Sequence, residues 1–121
     1  MTAGLVTLRI LQRDPSIYIR LEANTRAILQ GISDAAKQAG VPFSTASAGS
    51  MFGLFFNKSA PRTFTEMMEC DKDRFNKFFH SMLQSGIYLA PSAFEAGFVS
   101  AEHGAKEIEK TIAAAKQAFA A

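Results

Sequence analysis

The residue in this chain whose surroundings most invite a chemical reading is Glu95. It stands in Tyr88-Leu-Ala-Pro-Ser-Ala-Phe-Glu-Ala-Gly-Phe98, a lone carboxylate among apolar and small residues beside a proline turn. Taking an isolated carboxylate out of water costs several kcal/mol or shifts its pKa, so Glu95 is expected to line a cleft rather than sit in a dry core. A second candidate is Gly49-Ser50-Met51, because a glycine beside a serine at a strand junction lets backbone approach a ligand. A plain turn accounts for the same three residues.

The remaining chemistry-bearing side chains point away from a self-contained catalyst. A nucleophilic site needs a serine or cysteine placed with a base and an orienting group. The single cysteine, Cys70, falls at a helix end beside Asp71, whose charge would raise a thiol pKa, and reads as structural. His80 lies on a phenylalanine-rich helix but off its main face and reads as a surface or boundary histidine. His103 precedes the last helix, near the strand that follows Glu95, and is open to a packing or a functional role. Two histidines 23 positions apart and one cysteine give no zinc-type ligand spacing. Neither a Gly-x-Gly-x-x-Gly nor a Gly-x4-Gly-Lys-Ser/Thr phosphate loop occurs. Of the lysines at 37, 58, 72, 77, 106, 110 and 116, six lie on charged helix faces and Lys58 in a polar loop. None has the desolvated setting that a Schiff-base lysine requires.

The elements that must position Glu95 follow from periodicity and punctuation. Leu5, Leu8, Ile10 and Leu11 give residues 2–12 helical spacing, read as the end of something longer. Asp14-Pro15 opens a long helix, with Tyr18, Leu21, Thr25, Ile28, Ile32, Ala35 and Ala39 on its core face and Gly40-Val41-Pro42 as its stop. Gly31 within it costs about 1 kcal/mol relative to alanine, which implies close packing against another element. Residues 43–48 and 51–56 then read as a hairpin turning at Gly49-Ser50. The nearly unbroken apolar run Met51-Phe-Gly-Leu-Phe-Phe56 argues for a strand covered on both faces, by helices or a partner domain. Thr63-Phe-Thr-Glu66 is a capping box opening a short helix. Asp71 caps a further helix with the stripe Phe75, Phe78, Phe79, Met82 and Leu83, assigned to packing and ended by Gly86. Ile87–Ala90 and Gly97–Ser100 read as short strands, and residues 105–119 as a last helix through Ile108, Ile112, Ala115 and Phe119. Together these make an α+β fold, with a helical layer packed on a small, mainly antiparallel sheet.

The bulk properties agree. A chain of 121 residues fits one domain with one core, and 48% hydrophobic against 20% charged residues, with 11 phenylalanines, lies inside the globular range. A net charge of +2 with scattered basic residues shows neither a phosphate-tracking patch nor a membrane stripe, so nucleic acid and membrane are not expected partners. One cysteine suits a reducing compartment. There is no apolar run long enough to span a membrane and no secretory leader, and the address expected from these features is cytoplasmic.

The motif around Glu95, with Gly49-Ser-Met-Phe-Gly-Leu-Phe-Phe56, Arg74-Phe75, Phe78-Phe79-His80 and Met1-Thr-Ala-Gly4, resembles the C-terminal part of the glutamate-1-semialdehyde 2,1-aminomutases. These are class III pyridoxal-phosphate enzymes of tetrapyrrole biosynthesis. The similarity runs over essentially the whole chain. It implies that residues 1–121 are a single C-terminal small domain of a fold-type I aminotransferase, with residues 1–12 ending an inter-domain helix region. In full-length relatives Met-Thr-Ala-Gly follows Ser-Gly-Asn-Pro, and the cofactor lysine lies further upstream, so the large cofactor-binding domain is expected outside this sequence. The resemblance further implies a cytoplasmic homodimer that converts glutamate 1-semialdehyde to 5-aminolevulinate. Pyridoxamine phosphate donates its amine to the aldehyde, giving a diaminovalerate whose other amine returns to the cofactor. No catalytic or cofactor-binding residue and no bound cofactor are then expected in this chain, which alone would be inactive. Glu95 matches the glutamate of the family's Phe-Glu-Ala-Gly motif and is expected to bind substrate, with Gly49, Ser50 and Met51 as weaker candidates. The chain departs from the pattern at Ala93, where some relatives have glutamine, and at Gly104, where many have a serine or threonine cap. Two alternatives stay open: the small domain of another class III aminotransferase, and a non-catalytic dimerisation or binding module.

Overall fold

The structure, a computed structural model, describes residues 1–120. Helix α1 (Thr2–Arg13) leads into α2 (Ser16–Gln38), followed by strands β1 (Ser44–Ala48) and β2 (Met51–Phe55). Short α3 (Phe64–Met68) and longer α4 (Lys72–Gln84) come next, then β3 (Gly97–Phe98) and α5 (Ala105–Ala120). The three strands form one antiparallel sheet in the order β1-β2-β3. The helical layer lies on one of its faces. Among the described residues no helix is long and apolar enough to cross a membrane.

The punctuation works through specific hydrogen bonds. Pro15 already has helical backbone (φ −62, ψ −17), and the Asp14 carboxylate accepts from the Ser16 N–H at 3.2 Å and from the Ser16 hydroxyl. Helix α2 ends with Gly40 at φ +68. There the Val41 N–H donates to the Ala36 carbonyl (2.9 Å) and the Gly40 N–H to Lys37 (3.1 Å), the two bonds of a Schellman stop. The same pair closes α4, from Ile87 to Met82 and from Gly86 to Leu83, both at 2.9 Å. Thr63 Oγ1 accepts from the Glu66 N–H (3.2 Å) at the start of α3. The Glu66 carboxylate reaches back to the Arg62 N–H (2.7 Å), one residue before the position a capping box would use. Asp71 caps α4 through the Arg74 N–H at 2.9 Å. In the hairpin Gly49 has φ +58 and, among the described residues, no non-glycine residue has positive φ, the II′ pattern with glycine at the first central position.

The core lies between α2, α4, α5 and the even-numbered side of β2. Ile28, Leu29, Ile32, Leu54, Phe56, Phe75, Phe78, Phe79, Met82, Val99, Ala114 and Ala115 form its buried cluster. Phe43, Phe56, Phe78 and Phe119 interlock, with ring centroids 4.7–6.4 Å apart. Ile32 and Met82 are wholly buried, each a side chain whose transfer from water contributes about 1.5–3 kcal/mol. Thr25 is buried as well, its hydroxyl donating to the Leu21 carbonyl at 2.7 Å. Gly31 meets α5: a Cβ there would fall 2.5 Å from Ile112 Cγ1, the close approach its position inside a helix implies.

Several expectations are corrected. Tyr18, Ala39 and Leu83 are exposed, while Leu29 and Ala36 join the core of α2. Tyr18 lies in the first turn of α2 and Ala39 and Leu83 near helix ends, where the packed neighbours run out. Ile87–Ala90 forms no strand. Beyond β1, β2 has one further edge, and Gly97-Phe98 takes it. The strand expected at Gly97–Ser100 is correspondingly two residues long, continued by a single bond from the Val99 N–H to the Ser50 carbonyl (3.0 Å). Among the described residues, helices cover one face of strand β2. Helix α1 buries no residue.

Candidate functional site

The uncovered face of β2 is the floor of a groove of about 550 Å³. Side chains alternate along a strand, so Phe52, Leu54 and Phe56 turn to the helices while Met51, Gly53 and Phe55 turn outward. Ala46 and Ala48 extend the floor, paired opposite Gly53 and Met51. The Phe55 ring folds over Gly53: a Cβ there would lie 2.5 Å from Phe55 Cζ, so the ring occupies the place of the missing side chain. Phe64 and Met67 of α3 form one wall, and residues 93–96 form the other.

Glu95 stands in that second wall, exposed, and lines the groove. Its N–H donates to the Ser92 carbonyl (3.1 Å), and the Phe94 N–H donates to Ser92 Oγ (3.2 Å). Among the described residues no hydrogen bond or ion pair engages its carboxylate. Arg62 is the other charged residue of the groove. The arrangement is an apolar trough with one free carboxylate and one guanidinium, suited to a small ligand that has an apolar stem and charged ends. Behind Glu95 the chain enters β3, where a Cβ on Gly97 would lie 2.7 Å from two carbons of the Phe52 ring.

The weaker candidates divide. Met51 lines the groove; Gly49 and Ser50 do not. Gly49 serves the turn, with open space where its side chain would be, and the Ser50 carbonyl ties β3 to the hairpin. His103 is outside the groove. Its Nδ1 accepts from the Ser100 N–H (2.9 Å), which places the proton of the neutral ring on Nε2, and its carbonyl accepts from Asn24 Nδ2 (2.8 Å). His80 is exposed on α4, its ring 5.4 Å from that of Phe79. Cys70 is buried, and burial pushes its thiol pKa up; a hydrogen bond with Asn57 pulls the other way and the charge of Glu69 adds to the rise. Six lysines are exposed and Lys72 is half-buried, its Nζ 5.8 Å from the centroid of the Phe94 ring. None lines the groove.

Sequence reading missed Phe55, Arg62, Phe64, Met67 and Phe94 as groove residues. The signal available for Phe55 was the period of two through Met51 and Gly53, hidden because the intervening positions are apolar too. For Phe64, the signal was a large apolar side chain at the first position of a helix too short to be amphipathic.

The fold recurs in solved structures, two of them transaminases. An omega-transaminase from Sphaerobacter thermophilus superposes with a TM-score of 0.78 at 22% identity, over 97% of this chain and 26% of that one. The PLP internal aldimine form of the Sphingopyxis sp. MTA144 FumI protein gives 0.74 at 22% identity, over 97% and 25%. The helical layer on a three-stranded antiparallel sheet is thus the C-terminal small-domain architecture of fold-type I aminotransferases. No family model matches the chain. In sequence it is 52% identical over 120 residues to the glutamate-1-semialdehyde 2,1-aminomutase of Nitrosospira multiformis, and 50% identical to that of Laribacter hongkongensis. Each match covers 99% of the chain, whose sequence is similar throughout to the glutamate-1-semialdehyde 2,1-aminomutases, consistent with a C-terminal domain fragment of that family. The chain spans 28% of the length of these relatives.

Proposed function

We propose that these residues serve as the C-terminal small domain of an enzyme that converts glutamate 1-semialdehyde to 5-aminolevulinate, and that Glu95 faces the substrate. The parent would be a cytoplasmic homodimer, with α1 leading in from the region between its domains. The observation that carries this reading is the free carboxylate of Glu95 at the wall of an apolar groove, in a chain 52% identical to an aminomutase.

The cofactor, pyridoxal or pyridoxamine phosphate, supplies the amine exchange when bound. The residues described here do not fit it: every lysine is exposed or, as Lys72, lies against a phenyl ring, and none reaches the groove. The cofactor and its lysine therefore belong to another part of the parent, and this chain alone is inactive in the proposed reading.

The part assigned to this chain is selection. An unpaired carboxylate attracts an ammonium group and repels a second carboxylate. At 4 Å that interaction is about 1 kcal/mol in water and about 4 kcal/mol in the intermediate dielectric of a partly closed site. A diamine is thereby favoured at this wall over an ordinary amino acid with a carboxylate at the same point. The test is to splice residues 1–121 in place of the matching segment of the Nitrosospira multiformis aminomutase. The hybrid is expected to form 5-aminolevulinate. A hybrid that folds, binds cofactor and transfers amines to other acceptors only would favour the small domain of a different aminotransferase.

A further inference from the structure

The turn that carries Glu95 has little of its own to hold it. Among the described residues, two local hydrogen bonds hold the stretch from Pro91 to Ala96, both to Ser92, and the following strand is two residues long. Glu95 itself is exposed and its carboxylate has no partner among the described residues. The residue beside it, Phe94, has two contacts of its own. Phe64, the first residue of α3, stacks on Phe94 with centroids 6.2 Å apart and planes 28° from parallel. Lys72, the first residue of α4, places its ammonium 5.8 Å from the centroid of the same ring, within cation–π range.

Phe64 is 73% exposed, too open to gain from the core. Its stacking partner is Phe94, and offset stacking is a preferred aromatic geometry. The caps fix where these side chains start. Thr63 sets the beginning of α3 and Asp71 that of α4, so Phe64 and Lys72 are the first residues that a rigid frame presents to the turn.

We propose that Phe64 and Lys72 are positioning residues, which hold the turn of residues 92–96 through Phe94 and so keep the Glu95 carboxylate at the wall of the groove. This rests on the reading of Glu95 as substrate-facing. The device acts on the segment next to the carboxylate and leaves the carboxylate itself free for a ligand.

The test uses backbone 15N relaxation on the 121-residue chain and needs no substrate. Phe64→Ala is expected to lower the order parameters of Phe94, Glu95 and Ala96 from about 0.85 to below about 0.6, with the amide shifts of Phe78, Met82 and Val99 unchanged. Phe64→Tyr, which keeps the ring, is expected to hold the wild-type values. Phe64→Leu, which keeps bulk without a π face, should loosen the turn nearly as alanine does, and Lys72→Met should give a smaller loss. Unchanged order parameters in Phe64→Ala would overturn the proposal. So would shifts throughout the core, which would make Phe64 a structural residue, or a Leu variant as rigid as wild type. Failure here leaves the role of Glu95 standing. A Glu95→Gln hybrid enzyme with unaltered turnover would remove that role and leave the clamp.

Discussion

Replacing Gly31 by alanine sets two opposed effects against each other at the largest helix–helix contact of the domain. Alanine in a helix interior is favoured over glycine by up to about 1 kcal/mol. Against this, the new Cβ would meet Ile112 of α5, 2.5 Å from Cγ1 and 3.2 Å from Cγ2, with Cδ1 closer still. Turning χ2 moves Cδ1 alone. Turning χ1 exchanges one γ carbon for the other, and a β-branched side chain in a helix is nearly confined to one χ1. Relief therefore requires α2 and α5 to separate, which puts the overpacking cost in the upper part of its usual range, about 2–3 kcal/mol. The net is a destabilisation of about 1–2 kcal/mol, or about 3–6 °C in Tm per kcal/mol for a domain of this size. Urea unfolding followed by circular dichroism measures it, with the midpoint shifted and the slope unchanged. Ile112→Ala removes the obstacle, so the double variant should be at least about 1 kcal/mol more stable than the sum of the two single changes predicts. A Gly31→Ala chain as stable as wild type or more so would refute the argument that this glycine is kept for packing.

Three further outcomes follow from the geometry. Gly97→Ala puts a methyl group 2.7 Å from two carbons of the Phe52 ring. It should cost about 1–3 kcal/mol and speed hydrogen exchange at the Val99 amide, whose bond to Ser50 anchors β3. Cys70, buried with a raised thiol pKa, should react with a thiol reagent at pH 7–8 far more slowly in the folded chain than in urea; equal rates would contradict its burial. The Asp14 carboxyl is held below its ordinary value by the Ser16 side-chain hydrogen bond first and by Arg20 second. Its contribution to the start of α2 is accordingly complete above the ordinary aspartate pKa and lost as pH falls through the lower folded value. Carbon-detected titration should find a depressed midpoint, and Asp14→Asn should abolish the acid-side fraying of α2 in that window.

The parts of the fold legible in sequence are those settled by local chemistry. Gly40 and Gly86 stop helices because the last carbonyls need donors from a chain that turns left-handed there. Thr63 and Asp71 start helices by accepting from backbone N–H groups that would otherwise be unpaired, and Gly49-Ser50 turns the hairpin. The misreadings have a tertiary cause. Ile87–Ala90 has the residue types of a strand, but pairing depends on which edge is left, and Gly97-Phe98 occupies it. Met51–Phe56 is apolar on both faces, and the sequence pattern does not say which of them lies under this chain's own helices. At the site, Glu95 was legible because a lone charge in an apolar stretch is conspicuous. Phe64 was not, since its contact with Phe94 joins residues 30 positions apart and leaves no local pattern.

The central claim, that Glu95 is this chain's contribution to an aminomutase site, meets its most direct test in the spliced enzyme. The measurement is kcat/KM for the conversion of glutamate 1-semialdehyde by the hybrid carrying residues 1–121, with Glu95 and with Glu95→Gln, alongside the cofactor absorption spectrum. Loss of an interaction of about 1–4 kcal/mol predicts a fall of at least about fivefold with the spectrum unchanged. Equal kcat/KM for the two hybrids would contradict the account.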